Sequence, residues 1–122
     1  MTGAEVAAAP AEPKIGPGQV EFVDKGDGHF AVRGDLTFRT AGIALAESKE
    51  LFADHSILEI DLSEVKRTDS AGLALLLEWV NWAKNYVREI RFRNVPDEIF
   101  SIAQISEVDD LLSKGERWTG VI

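Results

Sequence analysis

Cysteine is absent from this chain of 122 residues. The absence excludes disulfide bonds, metal sites built on thiolates, and catalysis by a thiol nucleophile. It also fits a protein that works in a reducing compartment, and we therefore expect a cytoplasmic location.

Long apolar runs and an excess of positive charge are missing as well. No stretch approaches the roughly 20 consecutive apolar residues of a membrane-spanning helix. Lysine and arginine number 13 against 21 acidic residues, a formal net charge of −8. Because that charge repels phosphate backbones and anionic lipid headgroups, we expect neither nucleic-acid binding nor direct insertion into a membrane.

The composition that remains, 45% apolar and 28% charged residues, is typical of one globular domain. Residues 1–18 contain three of the four prolines and have neither a basic start nor a long apolar run. They do not resemble a secretory signal, and we predict a disordered N-terminal tail over residues 1–18 followed by one domain over residues 19–122.

Hydrophobic periodicity predicts the order β-β-α-β-α-β-α, which is an α/β fold with a mixed sheet of about four strands covered by helices. The predicted elements are strands 20–23 and 29–34 joined by a tight turn at 25–28, helix 40–53 with Thr40 as N-cap, strand 57–62, loop 63–68, helix 70–87, strand 90–93, and short helices from Pro96 to 102 and over 108–112. The turn lacks the remaining oxygen ligands of a calcium loop, so neither a metal nor a cofactor is expected.

The segment TDSAGLALLLEW, residues 68–79, begins the longest predicted helix. Asp69 is placed to cap it, and Ser70, as the first helical residue, would project from the helix end. Ala71 and Gly72 would leave the surrounding surface flat enough for another molecule to approach, which is the shape of a docking platform. On these residues alone, however, a simple capped helix start is the favoured interpretation.

Catalysis at this serine is not expected. A nucleophilic Ser70 needs a base, and neither His29, on a strand, nor His55, before the central strand, has an obvious path to it. The chain also lacks a glycine-rich phosphate loop and the acidic cluster that holds Mg²⁺ in phosphotransfer domains. We therefore predict a protein that is not an enzyme.

The predicted helix 70–87 has two apolar stripes. The first, expected to face the sheet, comprises Leu73, Leu76, Val80, Ala83 and Val87. The second comprises Leu75, Trp79, Trp82 and Tyr86. Two interpretations of this second stripe remain open: it packs under the C-terminal helices or against Trp118, or it is a partner-binding surface rich in the aromatic residues that favour interfaces.

Three segments in order, Gly34-Asp35-Leu36, Ile60-Asp61-Leu62-Ser63 and Thr68-Asp69-Ser70-Ala71-Gly72-Leu73-Ala74-Leu75-Leu76, resemble the STAS domain, the fold of anti-sigma factor antagonists. The resemblance covers about residues 20–113. It implies a four-stranded mixed sheet with helices largely on one face and a non-catalytic function in protein binding.

Two branches of that family differ in what they imply. The run 72–77, Ala83-Lys84, Asn94-Val95-Pro96 and the segment 99–103 look most like the cytoplasmic STAS subunit of the Mla-type phospholipid ABC transporter. This branch implies an ABC transporter ATPase subunit as partner and a peripheral position at the inner membrane through that partner. It often has threonine at the position of Ser70, and its compact subunit needs a shorter tail.

The alternative is an anti-sigma factor antagonist, in which an anti-sigma factor kinase is the partner and Ser70 is the matching phosphoacceptor. Both branches use one surface, for which the predicted partner-binding residues are Thr68, Asp69, Ser70, Ala71, Leu75, Trp79 and Trp82. The sequence leaves the partner and the oligomeric state open.

Overall fold

The computed structural model describes residues 15–113. Its elements are strands β1 (Val20–Gly26) and β2 (His29–Leu36), helix α1 (Ala41–Phe52), strand β3 (Ile57–Thr68), helix α2 (Ser70–Asn85), strand β4 (Glu89–Arg93), and helices α3 (Asp97–Ile105) and α4 (Asp110–Ser113). Most of the predicted tail, residues 1–14, and Trp118 lie outside the described residues, and the predicted domain boundary stays a prediction.

The four strands form one sheet in the order β1-β2-β3-β4, with β1 antiparallel to β2 and the other two pairs parallel. The predicted α/β class and mixed four-stranded sheet are confirmed. The β1–β2 connection is the predicted tight turn, with φ of 56° at Asp27 and 81° at Gly28. A Cβ on Gly28 would lie 2.2 Å from the carbonyl oxygen of Ile57, so this position requires glycine.

The hydrophobic core lies between the sheet and the helices that cover one of its faces. Phe30, Ile60 and Phe92 are paired across β2, β3 and β4, and each is at most 5% exposed. Helix α1 buries Ala44, Ser48 and Phe52, spaced four residues apart, as expected for one face of a helix. These short-range patterns explain why sequence periodicity located most of the elements.

The loop predicted over residues 63–68 is wrong, because this segment continues β3. Arg33 pairs with Glu64, and Leu36 pairs with Thr68. The register shifts twice along the β2–β3 ladder, once before Arg33 and once after Gly34. These bulges, together with exposed polar side chains, interrupt the strict alternation by which a strand is recognised in a sequence.

Thr40 precedes α1 as predicted, but its hydroxyl forms no capping hydrogen bond to that helix. The hydroxyl instead donates to the backbone carbonyl of Asp35 (2.7 Å) and accepts from the backbone N–H of Thr37 (3.0 Å). The side chain is fully buried, so it closes the turn between β2 and α1 rather than the helix end. The expected N-cap contact is therefore corrected.

Among the described residues, no helix combines the length and the apolar character that crossing a membrane requires.

Candidate functional site at the start of helix α2

Asp69 determines the geometry of the candidate site. Its backbone is extended, and its Oδ1 accepts a hydrogen bond of 2.8 Å from the backbone N–H of Ala71. A carboxylate in this position satisfies one of the unpaired N–H groups of the first turn and interacts favourably with the positive end of the helix dipole. The predicted cap and the predicted start of the helix at Ser70 are both confirmed.

The same carboxylate holds the turn between β2 and α1. Oδ2 of Asp69 accepts a hydrogen bond of 3.1 Å from the backbone N–H of Phe38. The backbone N–H of Asp69 also donates to the carbonyl of Leu36 (3.3 Å). One side chain therefore fixes the start of α2 and the residues 37–40 relative to each other.

Phe38 is the site residue that the sequence analysis missed. Its side chain is 76% exposed although it is a large apolar group. It belongs to no periodic segment, and the contact that places it beside Asp69 joins residues 31 positions apart. The only signal in the sequence is an aromatic residue among the polar residues of a strand–helix connection.

Ser70 lies where the sequence placed it, exposed at the first position of α2. Within residues 15–113 its hydroxyl makes no hydrogen bond, so it is available to another molecule. Both histidines lie at the opposite end of the central strands: His29 begins β2, and His55, beside Gly28, precedes β3. β2 runs from His29 to Leu36, whose carbonyl accepts from the backbone N–H of Asp69. At about 3.3 Å per residue this strand separates Ser70 from the two rings by roughly 20–25 Å, so neither can serve as its base.

Gly72 has a different function from the one predicted. It is buried, and a Cβ there would lie 2.6 Å from the carbonyl oxygen of Leu36. The missing side chain lets α2 approach the end of β2 within the domain and does not flatten an external surface. Next to it Ala71 is half-buried, and the hydroxyl of Thr68 donates to Glu98 of α3 (3.0 Å).

The partner-surface interpretation of the second stripe is wrong for Leu75 and Trp79. They are 4% and 1% exposed, because α1 and β1 close over this side of α2. The ring of Trp79 lies 5.4 Å from that of Phe52 and 6.0 Å from that of Phe22, and its indole N–H donates to the hydroxyl of Ser48 (2.9 Å). Leu75 and Trp79 are therefore core, and Trp79 packs against α1 and β1 and not under the C-terminal helices.

Toward the end of α2 the stripe does reach the surface. Trp82 is half-buried, with the guanidinium of Arg88 located 5.4 Å from its ring centroid, and Tyr86 is 61% exposed. Val87, predicted to face the sheet, is 65% exposed with φ of 56°, because α2 ends at Asn85. The structure therefore keeps Thr68, Asp69, Ser70 and Ala71 together and separates the aromatic residues from them.

The relatives of the chain agree with this fold. The family model described as "Mlab, STAS domain" matches residues 21–113. Two curated proteins, from Escherichia coli (strain K12) and Shigella flexneri, are each named "Intermembrane phospholipid transport system binding protein MlaB". Each is 39% identical to the present chain over 46 residues. That segment is 38% of this chain and 47% of each relative, so the chain spans about half the length of the curated relatives it matches.

A solved structure extends the comparison. The anti-sigma factor antagonist SpoIIAA in its unphosphorylated form superposes with a TM-score of 0.56 and 12% sequence identity, over 71% of this chain and 83% of that one. At this identity the likeness shows the fold alone. Since the family model covers well over half of the chain, the protein belongs to the STAS domain family that the MlaB model describes.

Proposed function

We propose that this protein is a non-catalytic STAS-domain subunit of an ABC-type phospholipid transport system, and that it binds the ATPase subunit on the cytoplasmic side of the inner membrane. The curated relatives named as binding proteins of an intermembrane phospholipid transport system support the choice of system. In such a system the protein would help to maintain the lipid asymmetry of the outer membrane.

The proposed contact is the docking end, which comprises Phe38, Thr68, Asp69, Ser70 and Ala71. The observation that carries the proposal is that one carboxylate, that of Asp69, binds the backbone of Phe38, whose side chain is exposed, and the first turn of α2, which begins with the exposed Ser70. Exposed aromatic side chains on a rigid support are typical centres of protein interfaces, since they bury large areas at little entropic cost. Trp82, about 18 Å further along α2, would lie outside the centre of this contact.

A second candidate function, an anti-sigma factor antagonist, is favoured by the exposed Ser70 hydroxyl. A phosphate added there would meet the N–H groups and positive dipole of a helix start, so the free domain would tolerate it. In a flat interface the same group would bring nearly two negative charges, which are costly to bury without a partner cation. Phosphorylation of Ser70 by an anti-sigma factor kinase would therefore release a bound partner.

The test is a binding measurement with the purified ATPase subunit of a phospholipid ABC transporter from the same genome. Phe38→Ala and phospho-Ser70 should each weaken binding by about tenfold or more, as expected for residues at the centre of an interface. Tyr86→Ala is the matched control, because it removes an aromatic ring of similar exposure about 24 Å away, at the far end of α2. Equal affinity of the parent, Phe38→Ala and phospho-Ser70 forms would rule out the docking end.

The two candidates are separated by a second pair of measurements. Incubation with a kinase-type regulator from the same genome, followed by mass spectrometry, should show phosphate on Ser70 in the anti-sigma case, with Ser70→Ala as the unmodified control. Capture of the ATPase by the parent protein without any such modification favours the transport function. Gene neighbours give an independent check: ATPase and permease genes for transport, a sigma factor gene for regulation.

A further inference from the structure

A cavity of about 430 Å³ lies at the carboxyl ends of β2 and β3, next to the docking end, since Arg67 on its border directly precedes Thr68. It is bordered by Arg33 and Asp35 of β2, by Glu64, Lys66 and Arg67 of β3, and by residues 15–17. Its volume is in the range of pockets that hold small molecules.

A β-bulge gives this cavity two consecutive cationic side chains. Gly34 pairs with Val65, and Asp35 pairs with Arg67, so Lys66 is an extra residue in β3. Neighbouring side chains of a regular strand point to opposite faces of the sheet. Because the bulge interrupts that alternation, Lys66 and Arg67 both border the cavity.

The charges that border the cavity leave these two cations available. Asp35 accepts a hydrogen bond from the backbone N–H of Gly18 (2.8 Å), and Glu64 accepts one from Arg33 (2.9 Å). Glu64 is therefore paired with a cation, whereas Asp35, bonded to a neutral N–H, keeps its negative charge. Lys66 and Arg67 are exposed, and within residues 15–113 neither side chain takes part in an ion pair or a hydrogen bond. Three cationic and two acidic side chains border the cavity, a positive balance in a chain whose formal net charge is −8.

We propose that the cavity binds the phosphate group of a small phosphorylated molecule, with Lys66 and Arg67 as its cationic ligands. A phosphate monoester carries up to two negative charges, which matches two cations better than a single carboxylate does. The planar guanidinium of Arg67 can donate two parallel hydrogen bonds to phosphate oxygens, and the ammonium of Lys66 adds a point charge. This site borders the docking end but is formed by other residues, and it does not depend on the proposed function.

The experiment follows the amide resonances of the ¹⁵N-labelled full-length protein during titration with pyrophosphate and with glycerol 3-phosphate, and during addition of phosphatidylcholine vesicles with and without phosphatidylglycerol. The test variant is Lys66→Gln/Arg67→Gln. The control variant, Lys25→Gln/Lys49→Gln, has the same net charge but alters two exposed lysines elsewhere. Circular dichroism checks that both variants are folded.

In the parent and the control variant we expect saturable shifts of the amide resonances of residues 16, 34, 66 and 67. In the test variant the dissociation constant for the same probe should rise about tenfold or more, because two charge-assisted contacts are lost. Binding of glycerol 3-phosphate would identify a soluble ligand, whereas binding only to vesicles that contain phosphatidylglycerol would identify a lipid headgroup. Two outcomes overturn the proposal: no saturable binding of any probe by the parent, or equal weakening in the test and control variants.

Discussion

Replacement of Trp79 by alanine tests the corrected assignment of the second stripe most directly. The side chain is 1% exposed and its ring packs against Phe22, Phe52 and Phe92. Truncation of a buried tryptophan lowers the free energy of unfolding by about 3–5 kcal/mol. The lost indole N–H hydrogen bond to Ser48 contributes about 1 kcal/mol of that total, and the Ser48 hydroxyl keeps its bond to Leu45. We expect a loss of about 4–5 kcal/mol.

That loss is large for a small domain, whose total stability is about 5–15 kcal/mol. The assay is urea denaturation followed by far-ultraviolet circular dichroism, which does not depend on the fluorescence of the altered tryptophan. Trp79→Phe keeps most of the apolar contact and should lose only about 1–2 kcal/mol, so it gives a measurable value if the alanine variant does not fold.

Trp82→Ala is the matched control, three residues further along α2. Its half-buried ring contacts Tyr86 and the guanidinium of Arg88, and we expect a loss of about 1–2 kcal/mol. If Trp79→Ala destabilises the domain no more than Trp82→Ala does, then the ring of Trp79 is not part of the core and the assignment is refuted.

Three further predictions concern glycine, the helix cap and acid stability. Gly72→Ala should lower the free energy of unfolding by about 1–3 kcal/mol, because the added Cβ would collide with the carbonyl oxygen of Leu36. The control Gly42→Ala, in an open position of α1, should raise the free energy of unfolding by about 0.5–1 kcal/mol. Equal effects of the two changes on urea denaturation would contradict the close approach of α2 to β2. Asp69→Ala should cost about 1–2 kcal/mol through two lost hydrogen bonds, and a parental midpoint would exclude the cap. Burial alone raises the pKa of Asp61, but hydrogen bonds, that from Asn94 first, hold it below its ordinary value of 3.8. The stabilisation contributed by the ionised Asp61 carboxylate is therefore present above that value and is lost as the pH falls through the lower folded-state pKa. Asp61→Asn should accordingly lose less stability than the parent below about pH 4. Parallel stability profiles of the two proteins against pH would contradict this.

The sequence alone determined the parts of this protein that depend on local signals. The turn at Asp27-Gly28, the capping of α2 by Asp69 and the exposed first helical position of Ser70 each depend on residues within four positions of one another. Helical and strand periodicities gave the element order for the same reason, and the three ordered motifs led to the STAS resemblance. Such features were predictable because turn and cap chemistry acts over one or two peptide units.

Tertiary structure decided which faces of these elements are covered and which distant residues meet. Trp79 is buried because α1 packs over its side of α2, and helical periodicity alone does not reveal which neighbour covers a given face. The bond that joins Phe38 to Asp69 and the bulge that exposes Lys66 beside Arg67 both depend on how one segment aligns with another far along the chain. Alignment of distant segments results from packing the whole domain. The docking end and the cavity beside Lys66 and Arg67 therefore form only when the sheet is assembled.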